Sequence, residues 1–119
     1  MTVVPKALRT TAVGVSRSAR STAAGSRALV AVIARISGIA LAVSGVSHFV
    51  APRPFVAISK PFFPEETGKW VAINGGSEAA IGLALVDKRT RTVGIVGLLA
   101  YGVYLGDRVA RYTWARLRA

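Results

Sequence analysis

The sequence contains no cysteine and a single histidine among its 119 residues. Without cysteine there is no disulfide, no thiolate metal ligand and no thiol redox chemistry. Acids are also scarce, since 5 Asp and Glu stand against 16 Lys and Arg, and none precedes Glu65. One histidine and a few scattered carboxylates do not favour a metal site, so we expect neither a metal nor another cofactor.

The apolar residues, 52% of the chain, stand in long blocks instead of periodic stripes. The net charge of the chain is +11. In so apolar a chain we expect the basic residues to set the orientation in the membrane and to bind anionic phospholipid as a partner. Nucleic acid is not an expected partner, because no aromatic platform or recognition helix accompanies the basic residues. The sequence therefore predicts an all-α membrane protein of one domain.

Three apolar blocks, at residues 28–50, 70–86 and 92–106, predict transmembrane helices. At 1.5 Å per residue the first reaches about 34 Å and the second about 25 Å, against a hydrocarbon core of about 30 Å. We expect a bundle of three transmembrane helices, with four as the alternative. The transmembrane domain is placed at residues 28–107, between a basic tail at 1–27 and a basic surface helix at 108–119.

A proline- and phenylalanine-rich segment, residues 51–69, separates the first two blocks. Its four prolines preclude a regular helix through it, yet its phenylalanines are too apolar for a free loop. We interpret it as a re-entrant or interfacial segment, with residues 64–66 capping the next helix.

The distribution of Lys and Arg predicts the orientation in the membrane. Residues 1–27 fit a cytoplasmic tail that is flexible or lies on the lipid surface. Their Arg- and Ser-rich composition also fits a cleaved transit peptide, and fits a secretory signal less well. The tail and the 88–91 turn are more basic than residues 51–69, which favours a cytoplasmic N-terminus. Three spans would place the basic C-terminus outside, against the same rule, unless the third block does not fully cross or a partner overrides the bias.

Basic residues near the ends of the blocks are predicted to contact lipid or a partner: Arg17, Arg20, Arg27, Arg89, Arg91, Arg111 and Arg116. Small residues recur at helical spacing within the blocks, and such residues let membrane helices approach closely. The predicted packing positions are Gly38, Gly45, Gly75, Gly82, Gly102 and Gly106. These glycines either pack the helices of the bundle against each other, or the row of glycines on one helix docks against a partner protein.

Four polar side chains are candidates for a site within the apolar blocks: Arg35, His48, Asn74 and Glu78. A carboxylate in a membrane helix is either paired or functional, and a pair with Arg35 would keep both charges away from lipid. Asn74 and Glu78 share a helix face because they are four residues apart. Glu78 either fixes helix register or handles a proton or ligand. His48 either makes a hydrogen bond to the loop after its helix or, less favoured, ligates haem or a metal.

The segments "SGVSHFVAP", "PFFP" and "GGSEAAIGLAL" followed by "DKRTR" resemble the DoxX-like family of small bacterial membrane proteins. The matching positions are His48, Phe49, Pro52, Phe55, Pro64, Gly75, Glu78, Gly82, Arg89 and Arg91. The resemblance implies a four-helix fold in the bacterial inner membrane, multi-pass, beside respiratory or sulfur-oxidising complexes. The chain departs from it in offering three apolar blocks and in adding the basic tail.

Two functions follow as predictions, since no nucleophile–base set or phosphate loop indicates a catalyst. The first is a non-catalytic accessory or assembly subunit of a larger respiratory or envelope membrane complex, with the other subunits as partners. The alternative is a quinone- or lipid-binding redox component that uses His48, Asn74 and Glu78. A mitochondrial membrane protein with a cleaved presequence is a third hypothesis.

Overall fold

A computed structural model describes the backbone of residues 6–119 and the side chains of residues 14–119. This part of the chain forms four helices and no strand: α1 (Lys6–Val50), α2 (Pro52–Ser59), α3 (Thr67–Val86) and α4 (Arg91–Arg118). The predicted all-α fold is confirmed. The first residues of the predicted basic tail lie outside the described residues.

Two helices are long and apolar enough to cross a membrane, Gly14–Val50 within α1 and Arg91–Arg118, which is α4. Helix α3 has 20 residues, enough for about 30 Å, but it carries Asn74, Ser77 and Glu78. The described residues thus provide two candidate spans, and a third or fourth stays a prediction.

The predicted domain boundaries at residues 27 and 107 fall inside helices. Residues 6–27 contain no proline and many Ala and Arg, which favour helix, so α1 continues through them. No proline interrupts α4 after residue 107 either, and the predicted C-terminal surface helix forms its last turns. Contacts divide the chain into two units, Met1–Ile33 and Ala34–Ala119. In the first unit the side chains of residues 14–30 are exposed.

The Pro-rich segment begins with a short helix, α2, and no single helix runs through residues 51–69. Pro52 and Pro54 stand in the first turn of α2, where a backbone N–H has no acceptor within the helix. Helix α2 ends at Ser59, before the ring of Pro61 can disrupt it. Glu66 precedes α3 in the left-handed conformation (φ 52°, ψ 41°) and makes no side-chain capping bond, so the expected acidic cap is absent there.

Within the second unit, α1 and α3 meet backbone to backbone along glycines. A Cβ added to Gly75 would lie 2.5 Å from Cβ of His48, and one on Gly82 would lie 2.5 Å from the Gly38 carbonyl oxygen. Gly45 contacts the backbone of Gly75 and Ala79 in the same way. Four of the predicted packing glycines therefore form one seam, which we call the glycine seam: Gly38, Gly45, Gly75 and Gly82.

Gly102 and Gly106, the other two predicted packing positions, have no atom within 4 Å of an added Cβ. Helix α4 instead packs on α3 through Gly94, where an added Cβ would lie 2.8 Å from the Leu85 nitrogen. Among the described residues, no other helix packs at Gly102 or Gly106, and docking of this stripe against a partner stays a prediction.

The second unit leaves more large apolar side chains exposed than it buries. Its buried side chains are the apolar Ala34, Phe63, Val71 and Leu85 and the polar His48 and Asn74. Many large apolar side chains are more than half exposed, for example Val43, Leu83 and Val103. Exposed apolar surface on this scale marks contact with lipid or with another protein.

Candidate functional site

A cavity of about 310 Å³ lies in the second unit, between α1, α3 and α4 and beside α2. Most of its polar lining comes from three helices, with Ser44 and His48 on α1, Asn74 and Glu78 on α3, and Tyr101 and Arg108 on α4. Ser59 of α2 also reaches it. The rest of the lining is apolar: Phe55, Ile58, Phe62, Phe63, Leu105 and Val109. The structure thus places three of the four predicted polar candidates at one cavity.

Glu78 is held by two neutral hydroxyl donors. Ser44 Oγ donates to Oε2 at 2.7 Å, and the Tyr101 hydroxyl donates to Oε1 at 2.7 Å. Nδ1 of His48 lies 4.0 Å from Oε2, and the Glu78 side chain is only 12% exposed. Both carboxylate oxygens therefore have a hydrogen-bond donor without any basic side chain.

The expected Arg35–Glu78 ion pair is not formed. Gly45 lies against Ala79, so Glu78 sits at the level of Ser44 on α1. Arg35 is nine residues earlier, about 14 Å along the helix axis, and is exposed. The register of the two helices separates these charges.

The imidazole of His48 is buried, with 7% exposure. Its Nδ1 lies 2.7 Å from the Ser44 carbonyl oxygen, in the preceding turn of its own helix. The ring also stacks on Phe55 of α2, with centroids 3.9 Å apart and 23° between the planes. The predicted hydrogen bond to the following segment is therefore wrong: the bond goes back into α1, and the following segment is contacted only through the ring stack.

Two buried residues at the cavity, His48 and Asn74, each have one polar side-chain atom without a partner among the described residues. Asn74 is 4% exposed, and its Oδ1 accepts a bond from the Tyr104 hydroxyl at 3.1 Å, which leaves Nδ2 unbonded. Nε2 of His48 is also without a described partner. Since none of the fully buried side-chain polar atoms described is unsatisfied, both atoms must remain accessible, and both residues line the cavity.

Arg108 places a cation between the main cavity and a smaller neighbouring one. Its guanidinium carbon lies 4.9 Å from the ring centre of Phe63 and 5.3 Å from that of Trp70. The neighbouring cavity, about 290 Å³, is lined by Arg108 together with Glu65 and Glu66. Stacking on two rings holds the guanidinium at the edge of the apolar wall.

The basic residues predicted to contact lipid differ in their surroundings. Arg91 donates to the Leu85 carbonyl oxygen at 3.2 Å and so binds the C-terminal end of α3. Arg111 pairs with Asp107 at 2.9 Å, and Arg116 donates to the Tyr112 hydroxyl at 3.0 Å. The others are exposed: Arg17, Arg20, Arg27 and Arg89.

Sequence reasoning missed Ser44, Tyr101 and Arg108 at the cavity. A signal was present for each. Ser44 is four residues before His48, and so shares its helix face. Tyr101 and Arg108 are seven residues apart, which also places them on one face of α4.

A family model for a domain of unknown function, DUF8561, matches residues 37–116, more than half of the chain. The chain belongs to the DUF8561 family. The range matched by DUF8561 includes every residue that lines the main cavity. No curated protein and no solved structure matches the chain. The resemblance to the DoxX-like family stays a prediction.

Proposed function

We propose that this DUF8561 protein binds an apolar molecule with a polar headgroup, of the quinone or lipid class, in the cavity beside α2. One observation carries the proposal: His48 and Asn74 are both more than nine-tenths buried, and each has an unbonded polar atom accessible at the cavity. A bound headgroup that hydrogen-bonds to both atoms would gain two hydrogen bonds in a largely apolar site.

The lining of the cavity supports the same class of ligand. Its volume, about 310 Å³, is at the lower end of the range for small-molecule sites. Apolar side chains from α2, the turn after it and α4 surround a few polar groups, the usual composition of such sites. A headgroup with an apolar ring or chain fits this lining better than a wholly polar solute.

We further propose that the protein is a multi-pass protein of the bacterial inner membrane, with α1, α3 and α4 crossing and the N-terminus cytoplasmic. The two candidate spans and the exposed large apolar side chains support a membrane location. The basic 88–91 turn supports the orientation. Ligands of the proposed class would reach the cavity directly from the bilayer.

Photo-crosslinking of the protein in lipid nanodiscs tests the ligand proposal. A diazirine-bearing long-chain phenol should label the segment that contains Phe55 and Phe63, because these residues line the cavity. Asn74→Leu, which keeps the side-chain volume but removes the free donor, should reduce this labelling by about tenfold. Gly102→Ala, at a position with open space, should label as the unaltered protein does.

Equal labelling in all three proteins, or labelling that excess unlabelled phenol does not reduce, would reject the cavity as the site. Folding of each variant is checked by its gel-filtration profile before labelling.

A second candidate function, an accessory subunit of a larger membrane complex, rests on the open face of α4. A Cβ added at Gly102 or Gly106 would meet nothing from another helix within 4 Å, and Val103 beside them is 75% exposed. We expect Gly102→Leu to remove a partner that co-purifies with a tagged protein at native expression. A native-gel mass that stays that of a lone small oligomer, in both the variant and the unaltered protein, would reject this function.

A further inference from the structure

We infer that the cavity selects a headgroup with a hydroxyl, so that within the proposed class its ligands are hydroquinones, other phenols or long-chain alcohols, and not ethers or the oxidised, carbonyl form of a quinone. In this arrangement one hydroxyl donates to Nε2 of His48 and accepts from Nδ2 of Asn74. The inference rests on the proposed function and specifies the chemistry of its ligand.

The tautomer of His48 follows from its partner. A backbone carbonyl oxygen can only accept a hydrogen bond, so Nδ1, 2.7 Å from the Ser44 oxygen, carries the hydrogen. In a neutral imidazole the other nitrogen is then an acceptor. With His48 neutral, Nε2 carries a lone pair, and its complement is a donor on the ligand.

Asn74 presents the opposite polarity. Its oxygen is occupied by the Tyr104 hydroxyl, which leaves the amide nitrogen as a donor. A hydroxyl oxygen has one hydrogen to give and two lone pairs, so a single hydroxyl satisfies both Nε2 of His48 and Nδ2 of Asn74. An ether or a carbonyl oxygen accepts from Asn74 but leaves Nε2 without a donor.

Glu78 disfavours an anionic headgroup at this end of the cavity. Both of its oxygens already accept hydrogen bonds, from Ser44 and Tyr101, the pattern expected of a carboxylate. A fatty-acid carboxylate or a phosphate placed beside it would be repelled in a site of low dielectric constant. A neutral hydroxyl meets no such opposition.

The test compares para-dodecylphenol with its methyl ether, since the two differ only in the hydroxyl hydrogen and one methyl group. The full chain is placed in lipid nanodiscs, and both compounds compete with tritiated para-dodecylphenol in a scintillation proximity assay. We expect the phenol to bind about tenfold more tightly than its ether, as one lost hydrogen bond to a buried group implies. Dodecanol distinguishes the two kinds of ligand that carry a hydroxyl. Binding as tight as that of the phenol indicates a long-chain alcohol, and weaker binding indicates a ligand with an aromatic ring.

Two variants test which side-chain atoms cause the preference for the phenol over its ether. His48→Phe should bring phenol and ether to equal affinity, because it removes the acceptor. Asn74→Leu should weaken both by a similar factor and keep the preference, because both compounds offer it an oxygen.

The outcomes separate the two proposals. Equal binding of phenol and ether to the unaltered protein overturns the hydroxyl inference and leaves the proposed function standing. Failure of every compound to bind above empty nanodiscs overturns both. The comparison on the unaltered protein needs no variant to fold.

Discussion

Glu78 is the only one of the five acids in the chain that is not exposed, and all five lie in the described part. Its partners are hydroxyls instead of an arginine. Removal of either hydroxyl leaves a carboxylate oxygen with one donor fewer in a region that water does not reach freely. The loss is large because hydrogen bonds to charged groups are stronger than those between neutral groups. The residues around Glu78 thus contribute to stability as well as lining the cavity.

Replacement of Tyr101 by Phe tests this contribution. We expect Tyr101→Phe to lower the free energy of unfolding by about 1.5–3 kcal/mol, because the bond to Glu78 is lost. The matched control is Tyr112→Phe on the same helix, whose hydroxyl accepts from an exposed arginine and should contribute less than about 0.5 kcal/mol. Denaturant unfolding in a mild detergent measures both, and equal losses would contradict the role given to Glu78.

At the scale of residues, the sequence predicted part of this site. The spacing of Asn74 and Glu78 was enough to place them on one face, because that depends only on the helix period. The partner of Glu78 depends on the register between two helices, which the glycine seam sets and which local spacing does not contain. Arg35 was therefore the wrong partner, and Ser44 and Tyr101 were not identified.

At the scale of elements, the apolar blocks predicted the helices because each block is long and lacks proline. The end of a block did not predict the end of a helix, since α1 and α4 continue into polar sequence that still favours helix. Helix α2 was missed because a proline disrupts a helix interior but fits its first turn. Position relative to the helix start decides the effect of a proline.

The glycines of α1 and α4 give opposite predictions for the same substitution. Gly45→Ala should lower the free energy of unfolding by about 1–3 kcal/mol, because the added methyl group meets the backbone of α3. Gly102→Ala should raise it by up to about 1 kcal/mol, because it gains helix propensity in open space. Thermal unfolding in one detergent measures both, and shifts of the same sign would contradict the glycine seam.

At the scale of the whole molecule, many large apolar side chains are exposed and only a few are buried, as expected of contact with lipid or with another protein. This distribution could be anticipated from composition. The number of helices that cross could not, because α3 combines a spanning length with three polar side chains whose cost depends on what they face.

Labelling of the two turns that flank α3 tests whether this helix crosses the membrane. Lys60 and Lys88 are both exposed and flank this helix, and a cysteine placed at either position is unique because the chain has none. We expect a membrane-impermeant maleimide to label Lys60→Cys in intact cells and Lys88→Cys only after lysis. Labelling of both from one side would show that α3 does not cross. If α4 crosses as well, Ala115→Cys should also be labelled in intact cells, as Lys60→Cys is.

The glycine seam has an entropic consequence. A glycine has no side chain to immobilise, so bringing α1 and α3 together at Gly38, Gly45, Gly75 and Gly82 removes no rotamer freedom at these four positions. Long side chains at a helix interface lose up to about 2 kcal/mol each in this way, and the loss grows with temperature. Between helices that are already formed, the contact that fixes the position of His48 relative to Glu78 is therefore expected to weaken less on heating than one built from leucines or methionines.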